Sequence, residues 1–355
     1  MRVLLTGHDG YIGQVMGPML SQAGHEVVGL DNYLYEGCTF GGGGWDPPAL
    51  RTDVRDVRGE DLAGFDAVVH LAGISNDPVG DLDPSATYAI NHQASVRLAR
   101  LAKEAGVGRF LFSSSCSLYG AADTDSLLDE GAPFNPVTAY GESKVLVERD
   151  LAVLADERFS PTSLRNATVY GVSSRLRADL VVNNLTGFAH VTGEVRVASD
   201  GTPWRPLVHV DDVARAFLAV LEAPRDLIHG EAFNVGGTPE NYRISEVADT
   251  VAEVVPGSRV TYAAGGGPDA RCYRVSFDKL ASRLPAGRPR WTVREGVEQL
   301  LAAYQRDGLT LAELTGPRFT RLGRVQELRQ RGMLDAALHR LDSPPAVSAE
   351  VSGAH

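Results

Sequence analysis

The feature that most restricts the fold is a glycine series, Gly7-x-x-Gly10-x-x-Gly13. It stands directly behind a short apolar run, Arg2–Thr6, and opens an amphipathic stretch over Tyr11–Ala23. Glycines at this spacing let the backbone turn sharply from a strand into a helix and come close to a phosphate at the helix N-terminus. The same residues also suit a tight turn with no ligand, so the pattern takes its meaning from its surroundings.

Those surroundings alternate. Short aliphatic runs at Arg2–Thr6, Glu26–Leu30, just before Asp53, Ala67–His70, Arg109–Ser113 and Thr162–Asn166 read as six strands. Helical patterns at Tyr11–Ala23, Pro84–Ala105 and Tyr140–Leu154 fall between them, which predicts βαβ units and an α/β doubly wound parallel sheet, the Rossmann architecture. After Gly171 the regularity weakens. Strand-like segments at Val195–Ala198, Leu207–Val210 and Ala232–Val235 alternate with helices near Asp211–Leu221, Ile244–Val254 and Val293–Tyr304. The expected organisation is a dinucleotide-binding domain over 1–170, a smaller substrate lobe over 171–312 interleaved with returns to the sheet, and a C-terminal helix and tail over 313–355.

With 355 residues and 43% hydrophobic content the chain can bury about two domains' worth of core. Its 34 Lys and Arg against 45 Asp and Glu leave a net charge of −11, which removes the electrostatic footprint for nucleic acid. Any anionic ligand must then be held by local donors. Three cysteines, Cys38, Cys116 and Cys272, form no CxxC pair, which fits a reducing, cytoplasmic setting and gives no metal site. No run approaches the roughly 18 apolar residues of a membrane span.

Asp31 ends the second predicted strand, about 20 residues after the glycine turn. A carboxylate there accepts hydrogen bonds from adenosine ribose hydroxyls and repels a 2′-phosphate, so NAD is expected over NADP. The alternative is a strand-end turn residue beside Asn32. A second constellation joins the strand end Ser113-Ser114-Ser115-Cys116-Ser117 to Tyr140-Gly141-Glu142-Ser143-Lys144 at a helix start. Tyr140 and Lys144, at i and i+4, share one helix face. A phenol of ordinary pKa about 10 becomes a usable base when an ammonium and a cationic nicotinamide stand beside it. The serine hydroxyl then holds the reacting alcohol in line.

With these motifs in place the chain resembles the extended short-chain dehydrogenase/reductase family, in particular its NAD-dependent nucleotide-sugar epimerases and dehydratases. The resemblance runs through Thr6–Gly13, Asp53-Val54, His70-Leu71-Ala72-Gly73, Asn91, the Ser115/Tyr140/Lys144 set and Leu164–Gly171. It continues through Arg205–Asp212 and Phe233–Gly236, covering about residues 1–305. It implies that Ser115, Tyr140 and Lys144 are catalytic. Gly7, Gly10, Tyr11, Ile12, Gly13, Asp31, Asp53, Val54, Leu71, Ala72, Gly73 and Asn91, with Tyr140 and Lys144, would bind NAD. Thr168, Asn183, Asn184, Leu185, Arg205 and Arg271 would bind a nucleotide-diphosphate sugar. A guanidinium suits a phosphate, although Arg205 also fits a surface cation and the Asn pair also fits a helix cap. The implied activity is 4-epimerisation by transient C4 oxidation and re-reduction, in a homodimer. Its rivals are a net reductase or dehydrogenase acting on the same substrates, and a non-catalytic NAD-binding module.

Departures from the family pattern bear on the chemistry. Thr168 replaces a common Asn, and Gly266 replaces a common Arg ahead of Asp269, with Arg271 nearby as a substitute cation. Cys116-Ser117 occupies the positions where dehydratases carry Asp-Glu, while Glu142 and Asp129 stand close enough in sequence to reach the site. Gly41–Gly44 with Trp45 reads as a surface insertion. Leu322, Val325 and Leu328 recur at helical spacing among Arg318, Arg321, Arg324, Arg329 and Arg331, predicting a basic amphipathic helix that docks on its own domain or a sister subunit, or else binds a ligand. The tail from Ser343 is expected to be disordered.

Overall fold

A computed structural model describes residues 1–75, 77–80, 82–121, 126–263 and 272–341. The strands of the first half are β1 (Arg2–Thr6), β2 (Glu26–Asp31), β3 (Ala49–Arg51), β4 (Ala67–His70), β5 (Arg109–Ser115) and β6 (Ser160–Asn166). The second half adds β7 (Thr168–Tyr170), β8 (Glu194–Val197), β9 (Trp204–His209), β10 (Ala232–Val235), β11 (Asn241–Arg243) and β12 (Arg259–Tyr262). The longer helices are α1 (Gly13–Gln22), α2 (Ala94–Glu104), α3 (Ala139–Leu154) and α4 (Val181–Thr192), then α5 (Val210–Glu222), α6 (Ile244–Val254), α7 (Val293–Asp307) and α8 (Arg321–Gln330).

Seven strands form one sheet in the order β10-β6-β5-β4-β1-β2-β3, every neighbouring pair parallel. The doubly wound α/β fold follows from strand periodicity. In β1, Val3 and Leu5 point to one face with Met16, Leu20, Val213 and Phe217 of α1 and α5, while Leu4 points to the other with Leu98 of α2 and Val147 and Leu151 of α3. The seventh strand comes from the second half: β10 lies parallel to β6, with Phe233 opposite Leu164.

The rest of the second half builds a smaller lobe with its own core. Its sheets are β11-β9-β7 and β12-β8. Val182 and Leu185 of α4, Val247 and Val251 of α6, and Val297 and Leu300 of α7 bury against Val195 and Leu207. Local sequence signals the helix starts: Thr138 accepts the Gly141 N–H at the head of α3, and Thr292 with Glu295 closes a capping box at the head of α7.

Gly41–Gly44 is exposed as expected, yet the loop does not hang free. Gln14 grips Trp45 through its backbone N–H (2.8 Å) and carbonyl (2.9 Å), and the indole lies so close over Gly17 that a Cβ there would fall 2.1 Å from the ring. Helix α8 forms where expected and docks on its own chain, burying Val325 and Leu328 against Val79 and Ala86. The tail from Ser343 lies outside the described residues. Among those described, no helix is long and apolar enough to cross a membrane.

Candidate active site

The C-terminal ends of the parallel strands open into a cavity of about 570 Å³ that runs from Asp53 at one end to Arg205 at the other. Ligands of open α/β sheets lie at this edge. The β1–α1 turn forms its floor. Gly7 takes φ +74°, which L side chains rarely adopt, and a Cβ on Gly13 would stand 2.4 Å from the Gly7 carbonyl oxygen. These two glycines are therefore required by the turn itself, and with Gly10, Tyr11 and Ile12 they line the cavity.

Asp31 is fixed by its neighbours: it accepts the Asp9 N–H (3.1 Å) on one oxygen and the Tyr33 N–H (2.8 Å) on the other. Burial pushes its carboxyl pKa up. Asp53 accepts Arg55 through Nε (2.7 Å) and Nη2 (2.8 Å) and Asn32 through Nδ2 (3.1 Å). Burial opposes its charge, but Arg55 prevails and holds the carboxyl below the usual range. Val54, Leu71, Ala72 and Gly73 continue the same wall. The cavity thus has the parts a dinucleotide needs: a glycine turn at a helix N-terminus, a carboxylate at the ribose position and an apolar slot beyond it.

Ser115, Tyr140 and Lys144 converge in this cavity. Ser115 ends β5 and accepts hydrogen bonds from the Ser117 N–H (3.2 Å) and hydroxyl (2.8 Å). Tyr140 stands in the first turn of α3. Burial pushes its phenol up to about 12, a hydrogen bond with Ser115 pulls it down, and the Asp77 carboxylate adds to the rise. The Lys144 ammonium donates to the Ser113 carbonyl at 2.7 Å and lies 5.6 Å from the Tyr140 ring centre. Burial lowers its pKa to about 8 against the supporting charge of Glu148.

Behind Ser115, Cys116 is 1% exposed and its thiol donates to the Arg165 carbonyl. Burial raises its pKa, so this residue is a small packed side chain and no thiolate. Neither Glu142 nor Asp129 lines the cavity: Glu142 accepts the Tyr88 hydroxyl (2.6 Å), and Asp129 accepts the Gly131 N–H (2.9 Å).

The substrate-lobe end is lined by Thr168, Asn184, Leu185 and Arg205. Two expected contacts are corrected. Asn183 is 0% exposed and does not line the cavity; its Oδ1 accepts the Gly171 N–H (2.9 Å) and its Nδ2 donates to the Arg177 carbonyl (3.0 Å) and reaches the Tyr11 hydroxyl behind the wall (3.4 Å). Asn91, in a π-helical turn at Tyr88–Gln93, also stays off the cavity wall. It clamps the backbone of Ile74, accepting its N–H (2.7 Å) and donating to its carbonyl (2.9 Å). Arg271, with Gly266 and Asp269, lies outside the described residues.

The sequence reading missed several lining residues. Asp77 follows β4 and enters the cavity near Tyr140; the only signal was its place just beyond a strand end. Arg177 pairs with Asp179 through two 3.0 Å contacts and donates to the Ser75 hydroxyl (3.1 Å). Tyr35 and Arg321 complete that corner, and no local motif marks them.

Fold and cavity together define a Rossmann-type α/β protein in which Ser115, Tyr140 and Lys144 share one cavity with the glycine turn. The sequence profile of the NAD dependent epimerase/dehydratase family matches residues 3–236, and the chain belongs to that family. It is 27% identical over 341 residues to the UDP-glucose 4-epimerase of Bacillus subtilis, covering 85% of this chain and 95% of that protein. To the UDP-glucose 4-epimerase of Corynebacterium glutamicum it is 29% identical over 269 residues, covering 72% and 80%. The structure of MoeE5 in complex with UDP-glucuronic acid and NAD superposes with a TM-score of 0.75 at 27% identity, covering 86% of this chain and 99% of that one.

Proposed function

We propose that the chain is an NAD-dependent nucleotide-sugar 4-epimerase. The observation that carries this reading is the meeting of Ser115, Tyr140 and Lys144 in one cavity, with no carboxylate at the two positions after Ser115. A bound NAD, held by the Gly7–Gly13 turn with Asp31 and Asp53, would supply the hydride acceptor and donor for C4 of the sugar. Tyr140 removes the 4-hydroxyl proton and later restores it, Ser115 holds that hydroxyl in line, and Lys144 stabilises the tyrosyl oxyanion that burial alone disfavours. Arg205, 7% exposed, with Asn184 and Leu185 lines the same cavity, and in this reading its guanidinium holds the diphosphate. The UDP-glucose 4-epimerases among its relatives make a UDP-hexose the first substrate to try.

Eliminating water across C5 and C6 needs an acid for the departing hydroxyl and a base for the C5 proton. Cys116 is buried and Ser117 is a plain hydroxyl, so neither replaces that acid–base pair; among the described lining residues, Asp77 is a carboxylate close enough to Tyr140 to act on its charge. Asp77 suits a sugar hydroxyl acceptor instead. The free state of Cys38, Cys116 and Cys272 supports a reducing, cytoplasmic setting. Incubation with a panel of nucleotide hexoses, followed by NMR, tests the reading. The expected product is a 4-epimer formed without added cofactor. A C6 methyl signal would mean elimination, and accumulating NADH with a released ketosugar would mean net dehydrogenation; either result overturns it.

A further inference from the structure

The C-terminal segment lies beyond the stretch matched by the family profile, yet it returns across the molecule to the cofactor end of the cavity. Val325 and Leu338 line the cavity beside Leu34 and Ile74. They belong to an apolar cluster with Val79 and Ala86, so this wall is packed into the first domain. Polar contacts lock it from both sides. Arg55, which holds Asp53, donates to the Ala337 carbonyl at 2.6 Å, and Arg340 pairs with Glu36 at 2.6 Å.

Arg321 is the more telling residue. It is 3% exposed, its guanidinium sits 3.9 Å from the centre of the Tyr35 ring, and it lines the same cavity as Arg177. Burial weighs against its charge, and Arg177 adds to that pressure. Asp179 pairs with Arg177 and also acts on Arg321, so two guanidiniums share one adjacent carboxylate in a chain of net charge −11. Two buried guanidiniums beside a glycine turn suit a pyrophosphate, the one dianion a dinucleotide carries.

We propose that residues 321–341 are a resident wall of the dinucleotide site. Val325 and Leu338 cover the adenosine half, and Arg321 with Arg177 supplies the cationic face for the pyrophosphate, so that the dinucleotide stays bound through turnover. This rests on the NAD-dependent reading above. A cofactor that is regenerated in every cycle has no need to leave, and an enclosing wall suits that chemistry.

The test uses the full-length protein and two variants, Arg321→Gln and Leu338→Ala, each checked for folding by circular dichroism. Dinucleotide content is measured after desalting, NADH release is followed by fluorescence with excess NAD as trap, and adenosine affinity by calorimetry on protein stripped of its dinucleotide. Wild-type protein is expected to retain dinucleotide. Both variants should release NADH at least tenfold faster; adenosine binding should weaken in Leu338→Ala and hold in Arg321→Gln. Release at the wild-type rate from either folded variant would overturn the wall. Wild-type protein that neither carries nor takes up NAD would overturn the functional reading itself, a result distinct from the first.

Discussion

Replacing Glu148 by Gln probes how the buried scaffold behind β5 supports the chemistry in front of it. Glu148 lies one turn beyond Lys144 on α3 and is 9% exposed. Its carboxylate accepts Arg165 through Nε (3.1 Å to each oxygen) and Nη2 (2.7 Å), and the Ser114 hydroxyl at 2.5 Å. Arg165 is 4% exposed, so water cannot take over the lost partner. Breaking one side of a buried pair costs about 3–5 kcal/mol. Gln keeps one acceptor oxygen, and Arg165 retains the Tyr119 hydroxyl and the Glu130 carbonyl, both at 3.0 Å, so the lower end, about 3 kcal/mol, is expected. The second effect falls on Lys144, whose pKa of about 8 is lowered by burial and supported by Glu148. Neutralising Glu148 lowers it further, and the ammonium beside Tyr140 is then lost at a lower pH. The alkaline limb of kcat/KM should shift toward acid, while Glu148→Asp, which keeps the charge, should shift it less. Urea denaturation and a pH–rate profile read the two effects. A stability loss under about 1 kcal/mol would refute the buried-pair argument, and an unmoved alkaline limb would refute the coupling to Lys144.

Tyr140→Phe should lower turnover by at least about 10²-fold while NAD still binds, as seen by steady-state kinetics and calorimetry; near-normal turnover would remove Tyr140 as the base. Asn183→Ala should cost about 2–4 kcal/mol, because it strands the Gly171 N–H and the Arg177 carbonyl in a dry site. A raised KM with unchanged stability would instead restore Asn183 as a substrate contact. Burial lowers His70 from 6.5 to about 3, so between those values the unfolded chain binds a proton that the folded chain does not. Its contribution is complete above pH 6.5 and is withdrawn by about 1.4 kcal/mol per unit as pH falls through the window. His70→Gln should show an acid-side stability slope shallower by that amount in urea melts at several pH values. NAD should raise the Tm more than NADP, because Asp31 at the end of β2 would face a 2′-phosphate, and Asp31→Ser should narrow the difference.

Most of the first half was legible from residues alone. Strands and helices fell where hydrophobic period and glycine placement put them, because these signals are local: a strand alternates every second residue, and a turn needs its glycine at the turn. The Ser115/Tyr140/Lys144 set was legible for the same reason. Its members sit at a strand end and on one helix face, positions that backbone geometry fixes once the elements are known. Cys116 is a small buried side chain, the usual state of a free cysteine.

The direction of a side chain was decided elsewhere. Asn183 and Asn184 are adjacent on α4, yet about 100° of helical rotation separates them, so one faces the core and the other the cavity. No pattern of residue types chooses between them; packing of α4 against α7 does. Asn91 was drawn off the cavity wall by the Ile74 backbone, a partner 17 positions away. Arg177 meets Ser75 across 102 positions, and Arg324 meets the Leu34 carbonyl across 290. Contacts at such separations leave no trace in local composition. By itself the sequence determined the sheet, the glycine turn and the positions of Ser115, Tyr140 and Lys144 at a strand end and on a helix face, since each depends on the chain's immediate geometry. Only the tertiary structure decided that the C-terminal helix lines the cavity through Arg321 and Val325, because that depends on how two distant surfaces fit.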